Sequence, residues 1–172
     1  YLFSGPRGTG KTSVGRIMAK SLNCPPDKEG NIDQSYAFSF DNGTALDLIE
    51  LDAASNRGID EIRSLRENVN YAPAQGAYKI YLIDEAHMLT DAAFNALLKT
   101  LEEPPPHVIF ILATTESHRI PNTILSRCQR FDFHKHTHVD IVKRLEKIGD
   151  GEGVKIESGV CDLIARQATG SL

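Results

Sequence analysis

Apolar positions along the chain fall into four short runs that are separated by amphipathic segments. The runs predict β-strands over residues 1–4, 48–52, 79–83 and 108–113. The last two runs are almost continuously apolar, a pattern typical of parallel strands that helices cover on both faces.

Between these strands, apolar side chains recur at the spacing of an amphipathic helix. The periodicity predicts one helix from Lys11 to about residue 22, one that follows Ser55, and one that follows Thr90 and ends before Pro104. Strand and helix therefore alternate along the chain. This alternation predicts a doubly wound α/β domain with a parallel sheet.

Residues 25–44 interrupt the alternation. Pro, Gly, Asp, Asn and Ser dominate this segment, while Tyr36, Phe38 and Phe40 occupy alternate positions. We interpret the segment as a surface insertion that contains a short strand.

The pattern becomes purely helical after Phe133. Thr137 and Ser158 are predicted N-caps of two amphipathic helices. We therefore predict an α/β domain over residues 1–134 and the start of a small all-α domain over residues 135–172.

The composition is that of an ordinary globular protein, with 41% hydrophobic and 24% charged positions among 172 residues. The net charge of −4 provides no overall basic field, so a contact with nucleic acid would need a local patch. No apolar run is long enough to predict a membrane span or a signal peptide. The three cysteines are far apart, which favours a reducing, cytoplasmic location. The chain opens with Tyr1 inside a predicted strand, and we therefore expect it to be a piece of a longer protein.

A glycine-rich loop lies between the first predicted strand and the first predicted helix. Residues 5–12 read Gly-Pro-Arg-Gly-Thr-Gly-Lys-Thr, a full match to the G-x-x-x-x-G-K-[ST] pattern. The glycines let successive backbone N–H groups turn towards a phosphate. Lys11 can then reach the β- and γ-phosphates, and the Thr12 hydroxyl can bind Mg²⁺. The loop therefore predicts a site for a nucleoside triphosphate.

Two acidic residues follow the third predicted strand. Beside a phosphate loop, Asp84 would hold Mg²⁺ through its water shell and Glu85 would polarise the attacking water. An acidic pair at a strand end is ordinarily a structural cap, but beside a complete phosphate loop it favours ATP hydrolysis. Thr115, after the next strand, is either a partner of the γ-phosphate or water, or a strand residue without a role. The predicted nucleotide-binding residues are Gly5, Gly8, Thr9, Gly10, Lys11, Thr12, Ser13 and Asp84, with Thr12 and Asp84 as the Mg²⁺ ligands.

These motifs, taken in order, resemble those of the bacterial DNA polymerase III gamma/tau family. The resemblance covers nearly the whole chain, and the ordered combination is more specific than any single motif. The matching segments are residues 5–12, 51–55, 84–89, 94–105, 112–115 and 126–128.

The resemblance implies an AAA+ P-loop NTPase that is the ATPase motor of a clamp loader within the DNA polymerase III holoenzyme. Its implied partners are delta and delta-prime subunits, further gamma/tau copies, the sliding clamp and primed DNA. ATP binding would let the loader open and hold the clamp, and primed DNA would trigger hydrolysis and release.

Site residues follow from the same resemblance, position by position. Asp84 and Glu85 match the Walker B pair, and Thr115 matches the sensor that follows the fourth strand. Arg127 matches the arginine finger, which enters the ATP site of the neighbouring subunit. An arginine finger typically accelerates hydrolysis by about 10³–10⁵-fold, so hydrolysis would depend on assembly.

The chain departs from the family in the segment after the first helix. Family members usually carry four zinc-binding cysteines there, whereas Cys24 has no cysteine partner within residues 25–44. One thiolate does not make a tetrahedral zinc site, so we do not expect structural zinc. By the resemblance, we expect the family's lid arginine to follow residue 172 and its base-holding segment to precede residue 1.

DNA contacts are the least specific part of the resemblance. Arg57, at the start of one helix, and Lys99, on the next, are suited to phosphate contacts. A solvated charged surface is the alternative for each. The alternating His134, His136 and His138 suggest either a metal site or, more simply, a solvated linker.

Two other functions remain open on the sequence alone. An ATP-binding scaffold that does not hydrolyse ATP, like the delta-prime subunit, is one, although Lys11, Thr12 and Glu85 speak against it. A helicase is the other, because residues 84–87 spell the Asp-Glu-Ala-His box of some RNA helicases. Three observations distinguish these functions. ATPase activity that depends on DNA and the clamp indicates a clamp loader, ATP binding without turnover indicates a scaffold, and strand separation indicates a helicase.

Overall fold

A five-stranded sheet forms the centre of the protein, for which the computed structural model describes residues 1–157 and 159–171. All neighbouring strands are parallel. The strands are β1 (Leu2–Ser4), β2 (Leu48–Asp52), β3 (Lys79–Asp84), β4 (Val108–Thr114) and β5 (Arg130–Asp132). Their order across the sheet is β2-β3-β4-β1-β5, and the four predicted strands are confirmed, with small differences at their ends.

The edge strand β5 was not predicted from the sequence. It pairs with β1, so that Leu2 lies opposite Arg130 and Ser4 lies opposite Asp132. All three of its residues are exposed, and Phe131 is the apolar one among them. So short and polar a strand carries no alternation that would distinguish it from a loop.

Helices cover both faces of the sheet. Along β3, Tyr81 and Ile83 belong to the core on one face, while Ile80 and Leu82 belong to the core on the other. The first face is covered by α3 (Ile59–Asn68) and α4 (Asp91–Glu102), and the second by α1 (Lys11–Asn23) and α2 (Gln34–Asp41). Buried residues on both sides of the strands explain their continuous apolar runs. The α/β architecture with a doubly wound parallel sheet is therefore confirmed.

The strand predicted within residues 25–44 is wrong, because the structure places helix α2 there. The Asp33 side chain caps this helix by accepting hydrogen bonds from the backbone N–H groups of Ser35 and Tyr36, at 3.0 and 3.1 Å. Tyr36 and Phe40 are buried four residues apart, whereas Phe38 is 62% exposed. Three apolar residues at alternate positions include a pair spaced i, i+4, so the same pattern fits a strand and a helix. The Asp33 cap favours the helix.

A buried carboxylate anchors α2 to the sheet. Asp47 accepts hydrogen bonds from the Tyr36 hydroxyl at 2.8 Å and from the backbone N–H groups of Gln75 and Gly76 at 2.9 and 2.7 Å. Burial alone would raise the pKa of Asp47, but these donors, together with the Ala74 N–H, hold it below its usual value. The insertion is thus fixed by polar contacts within the protein.

Three further α-helices follow β4 within the described residues. The short helix α5 (Asn122–Leu125) precedes β5, and α6 (His138–Gly151) packs against α7 (Val160–Ala168). Thr137 is confirmed as the N-cap of α6, because its hydroxyl oxygen accepts from the Asp140 N–H at 3.2 Å. The predicted cap Ser158 lies outside the described residues. No helix in the described ranges is both long and apolar enough to cross a membrane.

Candidate nucleotide-binding site

The glycine-rich loop connects the end of β1 to the start of α1. Gly8 and Gly10 have φ angles of 72° and 87°, in the left-handed region that residues with a Cβ rarely adopt. Gly10 is the N-cap of α1, and no side chain caps its first turn. The free N–H groups of that turn, with the positive end of the helix dipole, make a binding site for an anion.

Lys11 lies buried against the loop. Its Nζ atom donates hydrogen bonds to the carbonyl oxygens of Gly5 and Pro6, both at 2.8 Å. Burial lowers the pKa of Lys11, while Glu85 and Asp84 favour its charged form. The ammonium group is therefore held beside the anion site, where it can exchange a carbonyl oxygen for a phosphate oxygen.

Thr12 and Asp84 meet across the site. The Thr12 hydroxyl donates a hydrogen bond of 2.7 Å to Asp84 Oδ2. Asp84 Oδ1 accepts from the Glu85 N–H at 2.8 Å, which fixes the orientation of the carboxylate. A hydroxyl and a carboxylate oxygen are ligands that Mg²⁺ prefers, so this pair fits the ion predicted from the sequence.

Glu85 has an unusual backbone conformation. Its φ of 46° lies in the left-handed region, which costs about 1–3 kcal/mol for a residue other than glycine. The Thr115 hydroxyl donates to Glu85 Oε2 at 3.0 Å and so links the end of β4 to the carboxylate. The structure thus brings the sequence-predicted pair of Glu85 and Thr115 into direct contact.

The loop residues from Gly8 to Thr12, together with Asp84 and Glu85, line one open cleft of about 650 Å³, a volume ordinary for a small-molecule site. The predicted site residues Gly5 and Thr115 are not among its described lining residues. Its wall includes Ser13, and it also includes His136 and Arg144, which sequence analysis did not assign to the nucleotide. His136 precedes α6, and Arg144 lies on it. No local pattern marks them, because their position depends on how α6 packs over the loop.

Arg127 lies away from this cleft and is not among its described lining residues. The guanidinium group donates to the Thr123 carbonyl oxygen, to the Ser126 hydroxyl oxygen and to a Glu102 carboxylate oxygen. The side chain is 30% exposed, so it is available at the surface. Arg127 therefore does not line its own subunit's cleft, and its position at the surface is compatible with a role at a neighbour's site.

Arg57 and Lys99, the predicted DNA contacts, are both exposed but are not adjacent. The Arg57 carbonyl oxygen accepts from the Thr90 N–H at 3.3 Å, which places it near the start of α4, whereas Lys99 lies in the last turn of that helix. Lys99 follows Thr90 by nine residues, about 14 Å of helix at 1.5 Å per residue, so Lys99 lies most of a helix away from the Arg57 backbone. Their contact with DNA remains a prediction.

Among residues 1–157 and 159–171, no group of three or more His, Cys, Asp or Glu side chains is arranged to hold a metal ion. Cys24 is buried beside α2, and burial raises the pKa of its thiol, which disfavours the thiolate that zinc requires. The His134, His136 and His138 segment forms no such group either.

We expect purified protein to contain no stoichiometric zinc after dialysis against a chelator. The physical reason is that one protonated, buried thiol supplies too few ligands, while Asp47 fixes the insertion without metal. Elemental analysis by inductively coupled plasma mass spectrometry provides the measurement. A value near one zinc per chain that survives the chelator would contradict the prediction.

Comparison with known proteins identifies the family of this chain. A sequence model of the family described as DNA polymerase III, delta subunit, matches residues 1–137. The tau subunit of DNA polymerase III from Bacillus subtilis (strain 168) is 56% identical over 175 residues, an alignment that covers 100% of this chain and 31% of the relative. The tau subunit from Escherichia coli (strain K12) is 49% identical over 178 residues and is covered to 27%. The chain thus spans less than a third of the length of these two relatives.

Solved structures share the fold. A DNA polymerase III gamma subunit-related protein from Thermotoga maritima superimposes with a TM-score of 0.65 at 24% identity, over 98% of this chain and 53% of that one. The RuvB Holliday junction branch migration motor of Thermotoga maritima gives a TM-score of 0.70 at 18% identity, over 99% of this chain and 49% of that one. At these identities the likeness concerns the fold alone, and it agrees with the P-loop architecture predicted from the sequence.

Proposed function

This chain belongs to the DNA polymerase III family described as the delta subunit, and from that premise we propose that it is a gamma/tau-type subunit that binds and hydrolyses ATP. In this proposal it is part of the AAA+ motor of a clamp loader, which places a sliding clamp on primed DNA during replication. Over the whole chain it resembles tau subunits, with 56% and 49% identity, and this resemblance supports the gamma/tau assignment.

The single observation that carries the proposal is the hydrogen bond of 2.7 Å between the Thr12 hydroxyl and Asp84. It joins the phosphate loop to the acidic pair, which is the arrangement that P-loop ATPases use to hold Mg²⁺ beside the phosphates. When bound, Mg²⁺ would neutralise charge on the β- and γ-phosphates. Thr12 and Asp84 would hold the ion, Lys11 would bind the phosphates, and Glu85 would accept a proton from the attacking water.

Two further groups complete the proposed site. His136 and Arg144, on the wall of the cleft, would contact the nucleotide from α6 and the residues directly before it. Arg127 would act as a finger in the cleft of a neighbouring subunit, consistent with its exposed position away from its own cleft. The proposed assembly with delta and delta-prime subunits supplies that neighbour.

The test uses the full-length protein assembled with its loader subunits. We expect ATP hydrolysis that rises when primed DNA and the sliding clamp are both present. Lys11→Ala should weaken ATP binding by roughly 10- to 100-fold, because the loop loses one charge-assisted hydrogen bond to the phosphates. Equilibrium binding of a fluorescent ATP analogue measures the affinity, and release of phosphate measures turnover.

Lys20→Ala is the matched control, because Lys20 lies on the same helix but pairs with Asp41 at 2.6 Å, outside the cleft. It should bind and hydrolyse ATP like the unchanged protein. Binding without turnover in the complete loader would instead identify an ATP-binding scaffold. ATP-dependent strand separation without a clamp requirement would identify a helicase.

A further inference from the structure

His87 is a buried imidazole that none of the roles proposed above uses. It lies in the turn Ala86–Met88, directly after Glu85, and its side chain is only 7% exposed. Its Nδ1 atom is 3.0 Å from the Thr114 hydroxyl oxygen, at the end of β4. The ring therefore connects the turn after β3 to the neighbouring strand.

The contacts of both ring nitrogens favour one tautomer of His87. The Thr114 hydroxyl oxygen accepts from the Glu116 N–H at 3.0 Å, so its own proton is free to go to His87 Nδ1. The ring proton then belongs on Nε2, which lies 3.3 Å from a Glu116 carboxylate oxygen. In this tautomer the His87 ring accepts from β4 and does not donate to Glu85.

Two adjacent threonines thus hold two residues of the same turn. Thr114 bonds to His87, and Thr115 bonds to Glu85 Oε2 at 3.0 Å. His87 Nδ1 lies 3.5 Å from the same Glu85 oxygen, within electrostatic reach. Any change in the His87 link would therefore shift both the carboxylate and its Thr115 partner.

The backbone of Glu85 explains why such a link is needed. A φ of 46° persists in a residue with a side chain only where the surroundings hold it there. Downstream of Glu85, the His87 ring is the buried polar side chain that ties the turn to the sheet. Without it, the turn would be free to relax towards an ordinary φ and turn the carboxylate away from the phosphates.

We propose that His87 is a positioning residue that holds Glu85 in its reactive orientation through the Nδ1 contact with Thr114. The inference rests on the proposed hydrolysis of ATP. It assigns His87 no contact with nucleotide or water. It requires that loss of the contact lowers kcat while nucleotide affinity stays unchanged, because His87 is not among the residues that line the cleft.

Two conservative variants test the contacts of the two ring nitrogens separately. His87→Asn places an amide near the Nδ1 position and keeps a partner for Thr114, whereas His87→Gln places its amide near Nε2 and loses that partner. In the complete loader with primed DNA and clamp, we expect His87→Gln to lower kcat by about 10- to 100-fold, the usual cost of a misplaced catalytic group. His87→Asn should stay within about threefold of the unchanged protein. ATP affinity should not change in either variant.

Thermal unfolding of each variant accompanies the kinetics, so that a general loss of stability is visible separately. The proposal would be overturned if His87→Gln had the same kcat as the unchanged protein. It would also be overturned if both variants lost kcat equally and in proportion to their loss of thermal stability. Absence of hydrolysis in the unchanged loader would instead count against the proposed function. The two failures are therefore distinguishable.

Discussion

Glu85→Gln should leave ATP binding unchanged and slow hydrolysis by about 10²–10⁴-fold, the usual contribution of a general base. The amide has nearly the same shape as the carboxylate, so it can still accept from the Thr115 hydroxyl and keep the unusual backbone of the turn. It cannot take a proton from water at neutral pH. Single-turnover hydrolysis in the assembled loader, beside nucleotide binding at equilibrium, measures both quantities.

Glu67→Gln is a suitable control, because Glu67 lies near the end of α3, outside the phosphate-loop cleft. It should hydrolyse ATP at the unchanged rate. Normal turnover by Glu85→Gln would show that another group activates the water. A loss of ATP affinity in the same variant would show that Glu85 belongs to the binding site.

The position of the glycine-rich loop could be predicted because it depends on local sequence. Residues 5–12 are contiguous, and the strand before them and the helix after them set the loop's geometry. Asp84 could also be predicted, because parallel strands present their carboxyl ends at one edge of a sheet. Alternation of strand and helix was therefore sufficient to bring Thr12 and Asp84 together.

Contacts made between distant segments could not be predicted in this way. Arg144 belongs to the polar face of an amphipathic helix, where a charged residue ordinarily faces solvent. Its place on the cleft wall follows from the packing of α6 over the phosphate loop. The strained backbone of Glu85 and the Thr114 contact of His87 also leave no periodic signal in the sequence.

The helix α2 shows a different limit. Tyr36, Phe38 and Phe40 satisfy the period of a strand, and two of them also satisfy the period of a helix. The deciding residue is Asp33, whose side chain caps the helix by accepting from the Ser35 and Tyr36 N–H groups. Short segments with an apolar pair at i, i+4 therefore need their flanking caps to be considered first.

Arg127 occupies a position that depends on a second subunit. In the free chain its guanidinium group bonds to Glu102, at the end of α4, and to the Thr123 carbonyl oxygen. An exposed ion pair of this kind is worth at most about 1 kcal/mol, so a neighbour's γ-phosphate can compete for the arginine. The phosphate loop and the acidic pair line the cleft of the same chain, and Arg127 is not among the lining residues.

We therefore expect Arg127→Ala to silence the ATP site of the subunit it faces and to leave its own site able to bind ATP with nearly unchanged affinity. Loss of an arginine finger should slow turnover at the facing site by about 10³–10⁵-fold, because the charge that develops on the γ-phosphate loses its main external cation. Phosphate release from complete loaders measures the rate. Arg130→Ala is the matched control, since Arg130 is exposed and pairs locally with Asp132 at 2.7 Å.

Mixed loaders make the test specific to the trans arrangement. An Arg127→Ala subunit placed beside an unchanged subunit should suppress hydrolysis at the unchanged site that it faces. A subunit that carries Lys11→Ala but keeps Arg127 should lose its own turnover and still support that of its neighbour. If Arg127→Ala instead reduced hydrolysis at its own site alone, the finger would act within one chain, and the position of Arg127 away from its own cleft would have to change on assembly.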